Sequence, residues 1–195
     1  MLFRSRIVVA TADYVAVGFS IPVAEFIAAA NLARHEELRR LGPDLLSETF
    51  DAGEALRRMK ERPTQVIADV LLNQHVMAGI GNVYKSEVLF SCGINPFTPV
   101  AGLGDDRLTC LIATGRTFLL ANVHTSLAPM TTYAGYQRNT TGRDNARERL
   151  WVYGRVGLPC RRCRTLIRLR KHGYAARLTY WCPKCQPETG LPCDR

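Results

Sequence analysis

Long hydrophobic runs are absent from this sequence. No stretch in its 195 residues approaches the 18 or so apolar residues that a helix needs to cross a bilayer. The best apolar start, Ile7 to Ala12, is too short and wrongly flanked for a secretory signal. Internal repeats and low-complexity tracts are missing too, which argues against a repeat array. Acidic charge runs short at one end: residues 151–195 carry ten basic and two acidic side chains, whereas residues 1–150 carry 16 and 15. Almost all of the net charge of +9 therefore lies in the last quarter. Such a local field attracts a polyanion, of which nucleic acid is the commonest in a cytosol. A merely soluble basic surface, or a patch for a membrane surface, is the plainer reading.

What is present is globular in character. Hydrophobic residues make up 47% and charged residues 22%, which excludes wholesale disorder. The length allows one domain or two small ones. Seven cysteines without an export signal point to a reducing, cytoplasmic compartment, where clustered thiols bind metal more often than they pair as disulfides.

The pattern along the chain predicts an α+β protein. Residues 4 to 21, with Ile7, Val8, Val9 and then Tyr14, Val15, Ala16, Val17 around Asp13, predict two short strands joined by a tight turn. An isolated hairpin is marginal, so these strands are expected to be the remnant of a larger sheet whose N-terminal portion is missing, with a small strand pair packed on a helix as the alternative. Glu25 to Leu41 has helix-favouring composition. Asp51 is placed to cap a helix through Met59, with Glu54 as its capping-box partner. Pro63 and Thr64 open another, with Val66, Ile67, Val70 and Leu71 at helical spacing. A further helix is expected from Asn82 to Cys92, ended by Gly93, and one more within Leu103 to Val123. His124 to Arg149, including Thr131 and Thr132, is polar and irregular. The expected domains are 1–48, 49–149 and 150–195.

Cys160-Arg-Arg-Cys163, 18 residues, then Cys182-Pro-Lys-Cys185 is the strongest local signal. Two thiolate pairs at this spacing suit one tetrahedral zinc ion, each pair on a knuckle turn. Four cysteines leave no open coordination position, so the ion is expected to be structural. A redox Cys-x-x-Cys, or buried unpaired thiols, is the alternative. Thr165 to Leu169 and Arg177 to Trp181 are expected as strands with Gly173 at their turn. A segment this short lacks a core of its own, so metal would supply its folding energy. Arg161, Arg162 and Arg164 surround the first knuckle, and Arg168, Arg170, Lys171 and Arg177 lie on the hairpin, where arginines can clamp phosphates. Cys92 and Cys110 are expected in the core, and Cys193 in the tail.

Asn73 to Glu87 forms a second constellation, with Gly79-Ile80-Gly81 between two helices. A helix starting at Gly81-Asn82 would present unpaired N–H groups and a positive dipole end, a phosphate site with the Asn82 amide as additional donor. An ordinary tight helix connection remains the alternative.

Asn73 to Pro96 resembles the helix-two-turns-helix of formamidopyrimidine-DNA glycosylases and endonuclease VIII. Leu150 to Gly157 and the four cysteines resemble that family's C-terminal zinc finger. Gly42-Pro43-Asp44-Leu45-Leu46 and Thr140-Thr141-Gly142 also match, particularly in the actinobacterial endonuclease VIII branch. The resemblance covers most of residues 42 to 187, and residues 4 to 27 more weakly. It implies a base-excision-repair protein, a DNA glycosylase and AP lyase, acting on double-stranded DNA with an oxidised base or abasic site. It also implies one structural zinc held by Cys160, Cys163, Cys182 and Cys185. Asn82, after Gly81, matches the residue that binds the backbone phosphate at the lesion. Arg177 matches the hairpin arginine that grips phosphates flanking the extruded nucleotide. A monomer with no membrane association, close to the bacterial nucleoid, is expected.

The family's nucleophile is the amine of an N-terminal proline, followed by a glutamate. Here the chain opens Met1-Leu2-Phe3-Arg4, and its only lysines are Lys60, Lys85, Lys171 and Lys184. No catalytic residue is therefore assigned. Lys85 is expected to be a solvated helix lysine, and Glu87 a structural helix carboxylate. A non-enzymatic DNA-binding remnant and a zinc-ribbon interaction module are the alternatives to an enzyme.

Overall fold

The computed structural model describes residues 5–19, 21, 23–123, 138–173 and 176–188. The opening tetrapeptide Met1 to Arg4, Thr131, Thr132 and Cys193 fall outside them. The chain divides into two compact units, Met1–Arg39 and Arg40–Arg195.

In the first unit, β1 (Ser5–Ala10) and β2 (Val15–Phe19) form the expected antiparallel hairpin. Val8 faces Val17 and Ala10 faces Val15 in its register. Thr11 closes the turn: its N–H donates to the Tyr14 carbonyl (2.8 Å), and its Oγ1 accepts from the Tyr14 N–H (3.0 Å). Val8, Val9 and Val15 remain more than half exposed.

The helix expected over Glu25–Leu41 breaks into a 3-10 turn, Ala29–Arg34, and the short α1, Glu36–Arg40. His35 between them is extended (φ −67°, ψ 121°). Neither piece buries a residue. Helix-forming composition without an apolar face to bury does not sustain a long helix in water.

The second unit is built on four helices: α2 (Ala52–Lys60), α3 (Ile67–Leu72), α4 (Asn82–Ser91) and α5 (Asp105–Leu120). Leu45, Met59, Ile67, Leu71, Val88 and Leu111, each essentially without exposed surface, centre their shared core. Asp51 caps α2 as expected, accepting from the Glu54 N–H at 2.9 Å. The Glu54 carboxylate does not complete a capping box. It turns along the helix to Arg57 and Arg58, which hold it well below the usual range, at about 2. The α3 helix starts later than expected because Val66 pairs with Pro99 and the Ile67 N–H donates to the Thr98 carbonyl.

A second, smaller cluster contains Phe90, Val152, Ile167, Tyr180 and three cysteines. It underlies the hairpin of β3 (Arg168–His172) and β4 (Arg177–Trp181), which pairs Arg168 with Trp181 and His172 with Arg177. β3 begins three residues after the expected Thr165. Residues 165–167 instead pair back across the first knuckle: the Cys160 N–H donates to Thr165 and the Ile167 N–H to Leu158.

Candidate nucleic-acid interface and metal centre

The turn before α4 depends on Gly79, whose φ of +116° excludes L side chains without strain. Gln74 clips it from both sides, its Oε1 accepting from the Gly79 N–H and its Nε2 donating to the Ile80 carbonyl, each at 3.0 Å. Gly81 then caps α4 in an extended conformation with no side-chain cap. It is exposed, and a Cβ built on it would meet no atom within 4 Å. The side of Gly81 is thus open at the start of α4, where the first amides of a helix and its positive dipole end favour an anion.

From there α4 is buried almost all round, from Tyr84 to Phe90. Three consecutive polar side chains within it reach the C-terminal segment. Lys85, expected as a solvated lysine, is 1% exposed. Its Nζ donates to Asn82 Oδ1 (2.8 Å), Thr179 Oγ1 (2.8 Å) and the Leu178 carbonyl (3.1 Å). Burial, with Asp69 opposing and the nearby Arg177 charge adding, brings its pKa down to about 8. Ser86 Oγ accepts from the Tyr180 N–H. Glu87, fully buried, accepts the N–H groups of Trp151 (2.8 Å), Val152 and Tyr153 (both 2.9 Å) and the Thr140 hydroxyl. It is structural, as expected.

One ammonium thus touches Asn82 and the residue following Arg177, so the helix start and the turn end of the hairpin are neighbours. Arg177 itself is exposed. Several of the finger's arginines make local contacts. Arg161 donates to the carbonyls of Leu150 and Arg147. Arg162 stacks over Phe90 and Trp151 at 4.5 and 5.1 Å and donates to the Phe90 carbonyl. Arg170 lies over the Phe97 ring. Spacing marked these residues as basic but could not show that their guanidinium groups satisfy local carbonyls and rings.

The sulfurs of Cys160, Cys163, Cys182 and Cys185 converge within 4.8 Å of one another. Arg164 closes the first knuckle with a positive φ of 66°, its N–H donating to the Cys160 carbonyl at 3.0 Å. Gln186 closes the second: its Oε1 accepts from the Cys182 N–H, and its Nε2 donates to the Ile94 carbonyl. Amides of Arg162 and Cys185 point at the sulfurs of Cys160 and Cys182. Burial raises the Cys182 and Cys185 thiols, whereas hydrogen bonds from Thr165 help to lower Cys163; a dication at the centre would stabilise the thiolates of the set. Four soft donors with no open position fit a structural zinc ion. Of the other thiols, Cys92 packs against the helical core as expected, but Cys110 is exposed. Their sulfurs lie 2.7 Å apart.

Residues 41–132 match the family described as the formamidopyrimidine-DNA glycosylase H2TH domain, and residues 157–187 match the zinc finger found in FPG and IleRS. A probable endonuclease 8 2 of Streptomyces coelicolor is 38% identical over 183 residues, 93% of this chain and 61% of that protein. The DNA-(apurinic or apyrimidinic site) lyase Nei2 of Mycolicibacterium smegmatis is 38% identical over 94% of this chain and 66% of its own length. The chain therefore spans less than two thirds of these relatives. Among solved structures, MutM (Fpg) of Thermus thermophilus superposes with a TM-score of 0.70 at 29% identity, covering 94% of this chain and 69% of that one. Lactococcus lactis Fpg in complex with DNA containing an abasic site superposes at 0.66 and 28% identity, over 83% of this chain and 57% of that one.

Proposed function

Because the chain belongs to the formamidopyrimidine-DNA glycosylase and endonuclease VIII family, we propose that it binds duplex DNA carrying an oxidised base or an abasic site. The Gly81 and Asn82 end of α4 takes a backbone phosphate through its amides and the Asn82 carboxamide. Arg177 grips a neighbouring phosphate from the hairpin. Cys160, Cys163, Cys182 and Cys185 hold one zinc ion that folds the hairpin and stays out of the chemistry. The observation that carries this reading is the Lys85 ammonium, hydrogen-bonded at once to Asn82 and to Leu178 next to Arg177.

The reading assigns binding, not bond cleavage, to these residues. Lys85 lies beside Asn82, yet its ammonium is committed to three acceptors and has almost no exposed surface. A buried, fully hydrogen-bonded amine holds a neighbour in place and cannot reach a sugar carbon. Excision of a damaged base and strand elimination, the activity of the family, would be read by borohydride trapping on an abasic duplex. Binding without a covalent adduct agrees with a binding role for this polypeptide. A trapped adduct would place an amine nucleophile within it and extend the reading to lyase chemistry.

The binding test is fluorescence anisotropy with a duplex containing a tetrahydrofuran abasic analogue, across a salt series. Arg177→Ala should weaken binding and reduce the slope of log affinity against log salt by about one. An unchanged affinity and slope would remove the hairpin from the interface.

A further inference from the structure

We propose that Lys85 is a positioning residue for Asn82: its ammonium claims the carboxamide oxygen from within the protein and so presents the amide nitrogen outward as a fixed donor to a phosphate oxygen. This inference rests on the reading of Asn82 as a phosphate ligand. A lysine ammonium has three protons and no acceptor. All three are accounted for, by Asn82 Oδ1, Thr179 Oγ1 and the Leu178 carbonyl. A group that can only donate meets a carboxamide only at its oxygen, so Lys85 decides which way Asn82 faces. The Asn82 Nδ2 donates to no described residue and is not buried without a partner.

The burial pattern separates the two roles. Lys85 is 1% exposed, whereas Asn82 is half-buried at the helix start. The ammonium therefore acts through Asn82 and does not itself meet DNA. The helix supplies the geometry, since residues three apart share one face. Holding the carboxamide in its bound orientation beforehand removes part of the ordering cost of binding. The zinc-bearing segment has other moorings besides Lys85. Glu87 anchors residues 151–153, Gln186 anchors the second knuckle, and Ser86 accepts from Tyr180. Loss of Lys85 is thus felt first at Asn82.

A double-mutant cycle tests the proposal. Zinc-loaded wild type, Asn82→Ala, Lys85→Met and the double variant are titrated against the abasic-analogue duplex at pH 7. Each single change should weaken binding about tenfold, and the double variant should be no weaker than Asn82→Ala within about twofold. Additive losses, near a hundredfold, would mean that Lys85 acts elsewhere. Full affinity of Lys85→Met beside a weakened Asn82→Ala would overturn the positioning role alone. Failure of the wild type to bind overturns the DNA reading and the positioning role with it.

A second measurement needs no variant at position 85. Lys85 is faced by Asp69 from α3, which favours its charged form, and by Arg177 from β4, which opposes it. Above about pH 8 the neutral amine has two protons for three acceptors and releases its hold. Wild-type affinity should fall severalfold between pH 7 and about 9.5, and that fall should be missing from Asn82→Ala. Parallel profiles for the two proteins would overturn the proposal.

Discussion

Glu87 has no exposed surface and accepts three backbone N–H groups and one hydroxyl. Glu87→Ala leaves those donors buried without an acceptor and should cost at least about 3 kcal/mol, read from the urea midpoint at unchanged slope. Lys85 makes a prediction with the opposite sign from its binding effect. Its folded pKa lies near 8, below the ordinary value of 10.5. Between those values the unfolded chain binds a proton that the folded chain has released, so stability should rise with pH across that window. The difference in melting temperature between wild type and Lys85→Met, followed from pH 7 to 10.5, checks this. At this scale the sequence showed residue types and spacings. The helix start at Asn82 was legible from the glycines that precede it. Lys85 was not, because a lysine in an amphipathic stretch is usually solvated, and its acceptors come from residues 178 and 179, far along the chain.

Helices and strands were legible where an apolar face or a cap enforced them. Asp51 marks the start of α2 and Cys92 the end of α4. The break at His35 was hidden because composition alone carries no information about what a helix will pack against. The late start of β3 was hidden because residues 165–167 have strand propensity and use it on the knuckle instead. Two outcomes belong to the elements themselves. Gly79→Ala should destabilise the turn before α4 by about 1–3 kcal/mol, since φ is +116° and the new Cβ would approach Leu119 to 3.1 Å. Thermal melting measures this. The Cys92 and Cys110 sulfurs, 2.7 Å apart, join the end of α4 to α5. Hydrogen peroxide should convert them to a disulfide with release of water. The reaction starts at the exposed Cys110, because burial pushes the Cys92 thiol up to about 12. Peptide mapping without reductant should find that link, and Cys110→Ser should abolish it.

At the scale of the whole molecule, charge partition and cysteine spacing pointed to a basic metal-bound segment, but not to how it sits on the helices. That docking comes from polar side chains in α4 meeting backbone groups about 60 to 90 residues away, which no local pattern reveals. No helix among the described residues is long and apolar enough to cross a membrane. Chelation of the metal should melt the hairpin while the helical core persists, since that core contains none of the four clustered cysteines. Far-ultraviolet circular dichroism should retain most of its helical signal while affinity for the abasic duplex falls more than about tenfold.

Lys85, Ser86 and Glu87 each fasten a different stretch of the zinc-bearing segment to a single turn of α4. The aim of the fingertip is therefore encoded in a different lobe from the fingertip itself. A finger exchanged between homologous genes would coordinate its ion and still point wrongly, unless that helical turn travelled with it.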